Sequence, residues 1–235
     1  MKTIVISGSS SGLGEELANR FTKLGWMVLG IGRNYKKLNS LEKKFGKNFK
    51  GYVADVTIKE DVIKTFNDIQ DQFINIDLFV NNAAVFKMKE FSESSFEDID
   101  YIIDTNLKGS MYCTMKVVEN MKKNLKSEGR IINIGSVAST RGIENQSIYC
   151  ASKYGLNGFA EALNQELIDK NISVTTIFPG GINTPLWNKD NPYPGTDKEK
   201  ILQPKDIVDI VEYISNLENR IVLKNLTIFP NNEWH

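Results

Sequence analysis

A chain of 235 residues that is 41% hydrophobic and 25% charged can bury one substantial core, and α/β chains of this length commonly form a single domain. Its 29 basic and 29 acidic residues cancel, which argues against a nucleic-acid or anionic-membrane binder and favours small partners. The single histidine is the last residue, His235, and Cys113 and Cys150 have neither metal nor disulfide spacing, so histidine-based hydrolysis, a metal site and a disulfide framework are all set aside.

In chain order, the first apolar β-branched run covers residues 3–6. The short apolar stretch ahead of the first glycines is too brief for a secretory segment or a membrane span, so a cytoplasmic protein is expected. There follows Ser7-Gly8-Ser9-Ser10-Ser11-Gly12-Leu13-Gly14, which opens a helical pattern over 13–24. Glycine permits positive φ and close approach of a ligand, and a helix N-terminus offers unpaired N–H groups to a pyrophosphate. Gly8, Ser10, Ser11, Gly12 and Leu13 are therefore expected to cradle a dinucleotide, with Gly14 letting the helix pack closely. The spacing G-x-x-x-G-x-G differs from the commoner G-x-G-x-x-G, so the strand-to-helix setting carries more weight than the letters.

A second strand over 27–31 ends in Gly32-Arg33-Asn34, where an NAD site would present an acid to the adenosine ribose. Arg33 stands there instead and can pair with a 2′-phosphate, which favours NADP over NAD. Beyond it the pattern alternates: helix 34–45, strand 52–54, helix 59–73, strand 78–80, a long helix 96–125, strand 131–134, helix 148–169, strand 174–178, helix 205–217 and strand 226–229. This predicts a Rossmann-like, doubly wound α/β fold with a mostly parallel seven-stranded sheet and ligands beyond the carboxyl ends of its strands. The proline-rich interval 184–203 is the one clear interruption and is expected to cover the substrate.

Two polar groups carry the chemistry: Tyr149 and Lys153 stand at i and i+4, on one face of helix 148–169. An ordinary tyrosine has a pKa of about 10, and a nearby ammonium helps to lower it in a dehydrated site. Ser136 follows the strand ending at 134, where its hydroxyl can hold a carbonyl oxygen.

These residues together resemble the short-chain dehydrogenase/reductase family along nearly the whole chain. The glycine motif falls on Gly8, Gly12 and Gly14, the aspartate after the third strand on Asp55 beside Val56, and N-N-A-G on Asn81-Asn82-Ala83-Ala84 with alanine for the last glycine. The helix asparagine falls on Asn106, the catalytic serine on Ser136, Y-x-x-x-K on Tyr149 and Lys153, and the nicotinamide segment on Pro179-Gly180-Gly181-Ile182-Asn183-Thr184. The resemblance implies NADP(H)-dependent hydride transfer between a carbonyl and an alcohol, with Tyr149 as proton donor, Lys153 on the nicotinamide ribose, Ser136 on the substrate oxygen and Asn106 placing a relay water. It also implies a homodimer or homotetramer built on the helices at 96–125 and 148–169. Phe86 and Trp187, with Met88, Val137, Leu186 and Tyr193, are the candidate substrate contacts. A regulatory NADP(H) sensor is the alternative, but it has no need of the four catalytic positions, and a sugar-nucleotide epimerase needs more chain after Pro204 than is present.

Overall fold

The computed structural model describes residues 1–123, 128–193, 197 and 199–231. Its strands are β1 (Thr3–Ser7), β2 (Met27–Gly32), β3 (Phe49–Val53), β4 (Leu78–Asn81), β5 (Gly129–Ile134), β6 (Ile172–Pro179) and β7 (Asn225–Ile228). Between them run helices α1 (Gly12–Lys23), α2 (Tyr35–Phe45), α3 (Lys59–Gln72), α4 (Phe96–Ile103), α5 (Ser110–Lys123), α6 (Ser147–Leu167) and α7 (Pro204–Ser215). The seven strands form one sheet in the order β3-β2-β1-β4-β5-β6-β7, and every pairing is parallel.

Strand alternation divides the core into two layers. Ile4 and Ile6 of β1 face a cluster with Leu17 and Phe21 of α1, Leu38 and Leu41 of α2, and Ile207 and Val211 of α7. Val5, between them, faces Val62 and Phe66 of α3, Cys113 and Val117 of α5, and Ala160 of α6. Both faces of the sheet are thus covered, which is why its central strands read as continuous apolar runs.

Two departures from the sequence expectation have local causes. β3 begins three residues early, at Phe49, because this edge strand carries the polar Lys50 and a glycine that weaken its apolar signal. The long helix expected over 96–125 is interrupted by a six-residue π-helical segment, Asp104–Gly109, and its last expected residue, Leu125, lies outside the described residues, as does His235. A capping box at Ser95 and Asp98 starts α4, and Pro204 occupies the first turn of α7.

The chain winds outward from β1 to β3, then returns to β4 beside β1 and continues to β7. The direction reverses between β1 and β4, and an open α/β sheet offers its ligand crevice at that point. No described helix is long and apolar enough to cross a membrane.

Candidate active site

The turn after β1 is held open by its glycines. Gly8 and Gly12 adopt φ of 68° and 55°, a region that side chains disfavour. A Cβ on Gly8 would lie 2.8 Å from the Ala83 Cα, and one on Gly14 would lie 2.2 Å from the Gly8 carbonyl oxygen. Gly14 therefore works behind the turn, where it lets α1 sit against the turn backbone. Gly14→Ala is expected to cost about 3 kcal/mol through overpacking against an immovable carbonyl. Thermal unfolding should show a midpoint lower by roughly 6–12 °C, given about 2–4 °C per kcal/mol for a chain of this size.

The ends of β1 and β4 are sewn together beneath this turn. The Ser7 hydroxyl accepts the backbone N–H groups of Asn82 and Ala83, both at 3.0 Å, and the Asn82 amide donates to the carbonyls of Ser7 and Gly8 at 2.9 and 3.1 Å. Ser11 precedes α1 without capping it by its side chain, so the N-terminal N–H groups of the helix have no hydroxyl partner from that residue. The glycines, the uncapped helix start and the fixed turn fit a pyrophosphate.

From there a cleft of about 1370 Å³ runs along the carboxyl edge of the sheet. It is lined by Gly8, Ser10, Ser11, Gly12 and Leu13 at one end, and by Arg33, Asp55 and Val56 beside them. Asn82, Ala83, Ala84, Pro179, Gly180, Ile182 and Thr184 line its middle. Ser136, Tyr149, Lys153, Phe86 and Trp187 line the far end. Of the residues expected at the site, Gly14 and Asn106 do not reach the cleft wall.

Asn106 lies in the π-helical segment and is fully buried. Its amide donates to the Val85 carbonyl at 2.9 Å and the Ser152 hydroxyl at 3.1 Å, and its carbonyl accepts the Val85 N–H at 2.8 Å. The side chain thus ties the irregular segment following β4 to α6 rather than facing the cleft. Thr105, its neighbour, lines the cleft instead, with a hydroxyl that has no partner. Irregular π turns are a common way for helices to re-aim polar groups at functional sites.

Ser136 is oriented by its own loop. Its hydroxyl oxygen accepts the Ala138 N–H at 3.2 Å, so its proton is left to donate, and the Tyr149 phenol lies within hydrogen-bonding reach. Burial pushes that phenol up to about 12, against the opposing hydrogen bond from Ser136. The same burial pulls the Lys153 ammonium down to about 8. Lys153 donates to the Ile134 carbonyl at 2.9 Å and sits 5.7 Å from the Tyr149 ring centre. In this arrangement desolvation outweighs the expected pull of the ammonium on the phenol, and Tyr149 is held protonated.

An aromatic wall closes the far end. Phe86 meets Tyr149 edge-on at 4.9 Å and Trp187 at 5.1 Å, and Trp187 meets Tyr193 at 5.2 Å. The interval 184–203, of which 194–196 and 198 lie outside the described residues, is fastened by Asn183 N–H to Leu202 carbonyl, 2.8 Å, and by Met88 N–H to the Asn191 side chain, 3.0 Å.

Lys37 and Asn191 were not singled out from the sequence. Lys37 lines the cleft from the first turn of α2, while Arg33 lies before the extended cap residue Asn34, so no helical spacing links the two and the only sequence signal is a second cation close after β2. Asn191 acts through one backbone bond and leaves no such pattern.

The short chain dehydrogenase family model matches residues 2–194. The chain belongs to this family. An oxidoreductase of Staphylococcus epidermidis strain RP62A is 29% identical over 231 residues, covering 97% of each chain. One from Staphylococcus saprophyticus is 30% identical over 233 residues, again covering 97% of each chain. Among solved structures, Escherichia coli serine dehydrogenase superimposes with a TM-score of 0.88 at 27% identity, covering 99% of this chain and 100% of the other. A closed form of serine dehydrogenase complexed with NADP+ gives 0.91 at 28% identity, covering 99% of this chain and 96% of that one. As a short-chain dehydrogenase, the protein is an oxidoreductase with a nicotinamide-cofactor fold, and the motif positions Ser136, Tyr149 and Lys153 meet in one cleft.

Proposed function

We propose that this short-chain dehydrogenase is a cytoplasmic NADP(H)-dependent carbonyl reductase that interconverts a ketone or aldehyde and its alcohol. The observation that carries the reading is the buried, protonated Tyr149 flanked by the Ser136 hydroxyl and the Lys153 ammonium at the end of a glycine-cradled cleft. Residues 82–84 and 179–182, with Thr184, line the cleft and would hold a reduced nicotinamide, which would supply the hydride for the carbonyl carbon. Tyr149 gives its phenolic proton to the carbonyl oxygen, and Ser136 donates a hydrogen bond to that oxygen. Lys153, charged below about pH 8, stabilises the phenolate left behind. Phe86 and Trp187 exclude water from the reacting carbon.

The adenosine end supports NADP over NAD. Arg33 is more than half exposed and only loosely paired with Asp55 at 3.7 Å, so its guanidinium is available to an added phosphate. Lys37 brings a second cation and Ser10 a hydroxyl to the same end, and no acid follows β2 to hold a ribose hydroxyl. Arg33→Ala is expected to raise the KM for NADPH by about tenfold or more while leaving that for NADH nearly constant. Cofactor oxidation with a ketone panel measures both, and faster turnover with NADH than NADPH in the unaltered protein would defeat the assignment. Association into homodimers or homotetramers is part of the proposal, supported by the exposed Met115 and Tyr154 on α5 and α6; sedimentation tests it.

A further inference from the structure

Most cations around the cleft already have a carboxylate. Lys87 and Lys89 both face Asp98, Lys200 pairs with Asp197 at 3.3 Å, and Arg33 has Asp55. Arg141 does not. It lines the cleft with its guanidinium 5.4 Å from the centre of the Phe229 ring, its Nε is buried without a hydrogen-bond partner, and no described carboxylate lies within ion-pair distance. A guanidinium in a cleft wall with no carboxylate beside it leaves a positive charge uncompensated, and that marks a place for an anion.

The backbone of Arg141 is fixed to the reacting pair at both ends. Its N–H donates to the Val137 carbonyl at 3.2 Å, and its carbonyl accepts from the Cys150 thiol at 3.9 Å. Val137 and Cys150 directly follow Ser136 and Tyr149. The side chain therefore starts from a point set by the catalytic groups, and its guanidinium lies over the Phe229 ring.

We propose that Arg141 is a specificity-determining residue that binds the carboxylate of an oxo acid, or of the corresponding hydroxy acid, while its carbonyl or carbinol carbon lies at Ser136 and Tyr149. This rests on the oxidoreductase reading of the cleft given above. The planar guanidinium fork matches a carboxylate in bidentate fashion. Lys87 and Lys89 are held at Asp98, Lys200 at Asp197 and Lys153 on the Ile134 carbonyl, so Arg141 is the cation placed to answer a single carboxylate. Phe86, Val137, Ile143 and Trp187 line the same cleft and suit the carbon chain between the two polar ends. In the reaction the carbonyl carbon gains a hydride from reduced nicotinamide and its oxygen gains the tyrosine proton, and the carboxylate passes through unchanged.

The test compares 2-oxobutanoate, acetoacetate and 4-oxopentanoate with their methyl esters, and dihydroxyacetone phosphate with dihydroxyacetone, under saturating NADPH. At least one acid should exceed its ester in kcat/KM, and Arg141→Gln should lower that acid-to-ester ratio by about thirtyfold, mainly through KM, with Arg141→Lys recovering part of it. Esters matching or exceeding every acid, a ratio unmoved in Arg141→Gln, or a preference for the phosphorylated ketone would each overturn the proposal. Should Arg141→Gln not fold, ester reduction by the unaltered protein is measured with butanoate or butanamide added. Inhibition by butanoate alone supports the carboxylate site, and equal inhibition by both overturns it. Oxidation of NADPH by no acid and no ester would instead remove the oxidoreductase reading itself, and this inference with it.

Discussion

Tyr149→Phe is expected to lower kcat for ketone reduction by about 10²- to 10⁴-fold, the range that a positioned acid contributes. The ring is kept, so its edge-on contact with Phe86 at 4.9 Å persists, and only the hydroxyl shared with Ser136 is lost. Cofactor affinity should stay within about threefold, since removing a group that acts only on the reacting oxygen leaves ground-state binding intact. Stopped-flow or steady-state oxidation of NADPH gives the first quantity and fluorescence titration the second. Activity within tenfold of the unaltered protein would show that the proton comes from elsewhere.

Lys153→Met is expected to separate activity from stability. A fully buried ammonium whose pKa falls from 10.5 to about 8 costs the fold roughly 3 kcal/mol at neutral pH, at about 1.4 kcal/mol per pH unit. Methionine fills similar volume without that cost, although the Ile134 carbonyl then loses its 2.9 Å partner, worth about 1–2 kcal/mol. The net gain is about 1–2 kcal/mol, or a midpoint higher by roughly 2–8 °C. The pH dependence fixes the sign. Below pH 8 the lysine is protonated in folded and unfolded chains alike and the full cost applies. Between about 8 and 10.5 only the unfolded chain keeps the proton, so stability of the unaltered protein rises with pH across that window. Lys153→Met should lack this rise and should lose reductase activity by about 10²-fold or more. In the unaltered protein, reduction should decline as pH passes 8, where the ammonium that supports the phenolate discharges. A lower melting point for Lys153→Met at pH 7 would show that the Ile134 bond outweighs desolvation.

Much of the fold is written locally in this chain. Ile4, Val5 and Ile6 announce a strand buried on both faces, and Gly8 and Gly12 mark a turn whose positive φ excludes most other residues. The cleft end of the site was equally legible, because Ser136 and the Tyr149–Lys153 spacing depend only on a strand end and a helix period. The state of those groups was not. Whether Lys153 lowers the tyrosine pKa or burial raises it depends on how much protein surrounds both, which Phe86 and the Ile134 carbonyl decide from distant sequence positions. Arg141 shows the same limit from the other side, since its lack of a carboxylate partner is a property of the assembled wall and not of its neighbours in sequence.

The π-helical segment from Asp104 to Gly109 sets a phase. An α-helix turns about 100° per residue, so one extra residue in a turn rotates everything after it by that amount relative to a regular helix. With this offset Cys113, Val117 and Met121 of α5 face the sheet while Asn106 faces Val85 and Ser152. Gly109 completes the fit, for a Cβ there would meet the Val56 side chain at 2.8 Å. Deleting a single residue between 104 and 109 would restore regular hydrogen bonding yet swing the apolar face of α5 a quarter-turn toward solvent. The segment is thus a counted insertion, in which the number of residues matters as much as their identity.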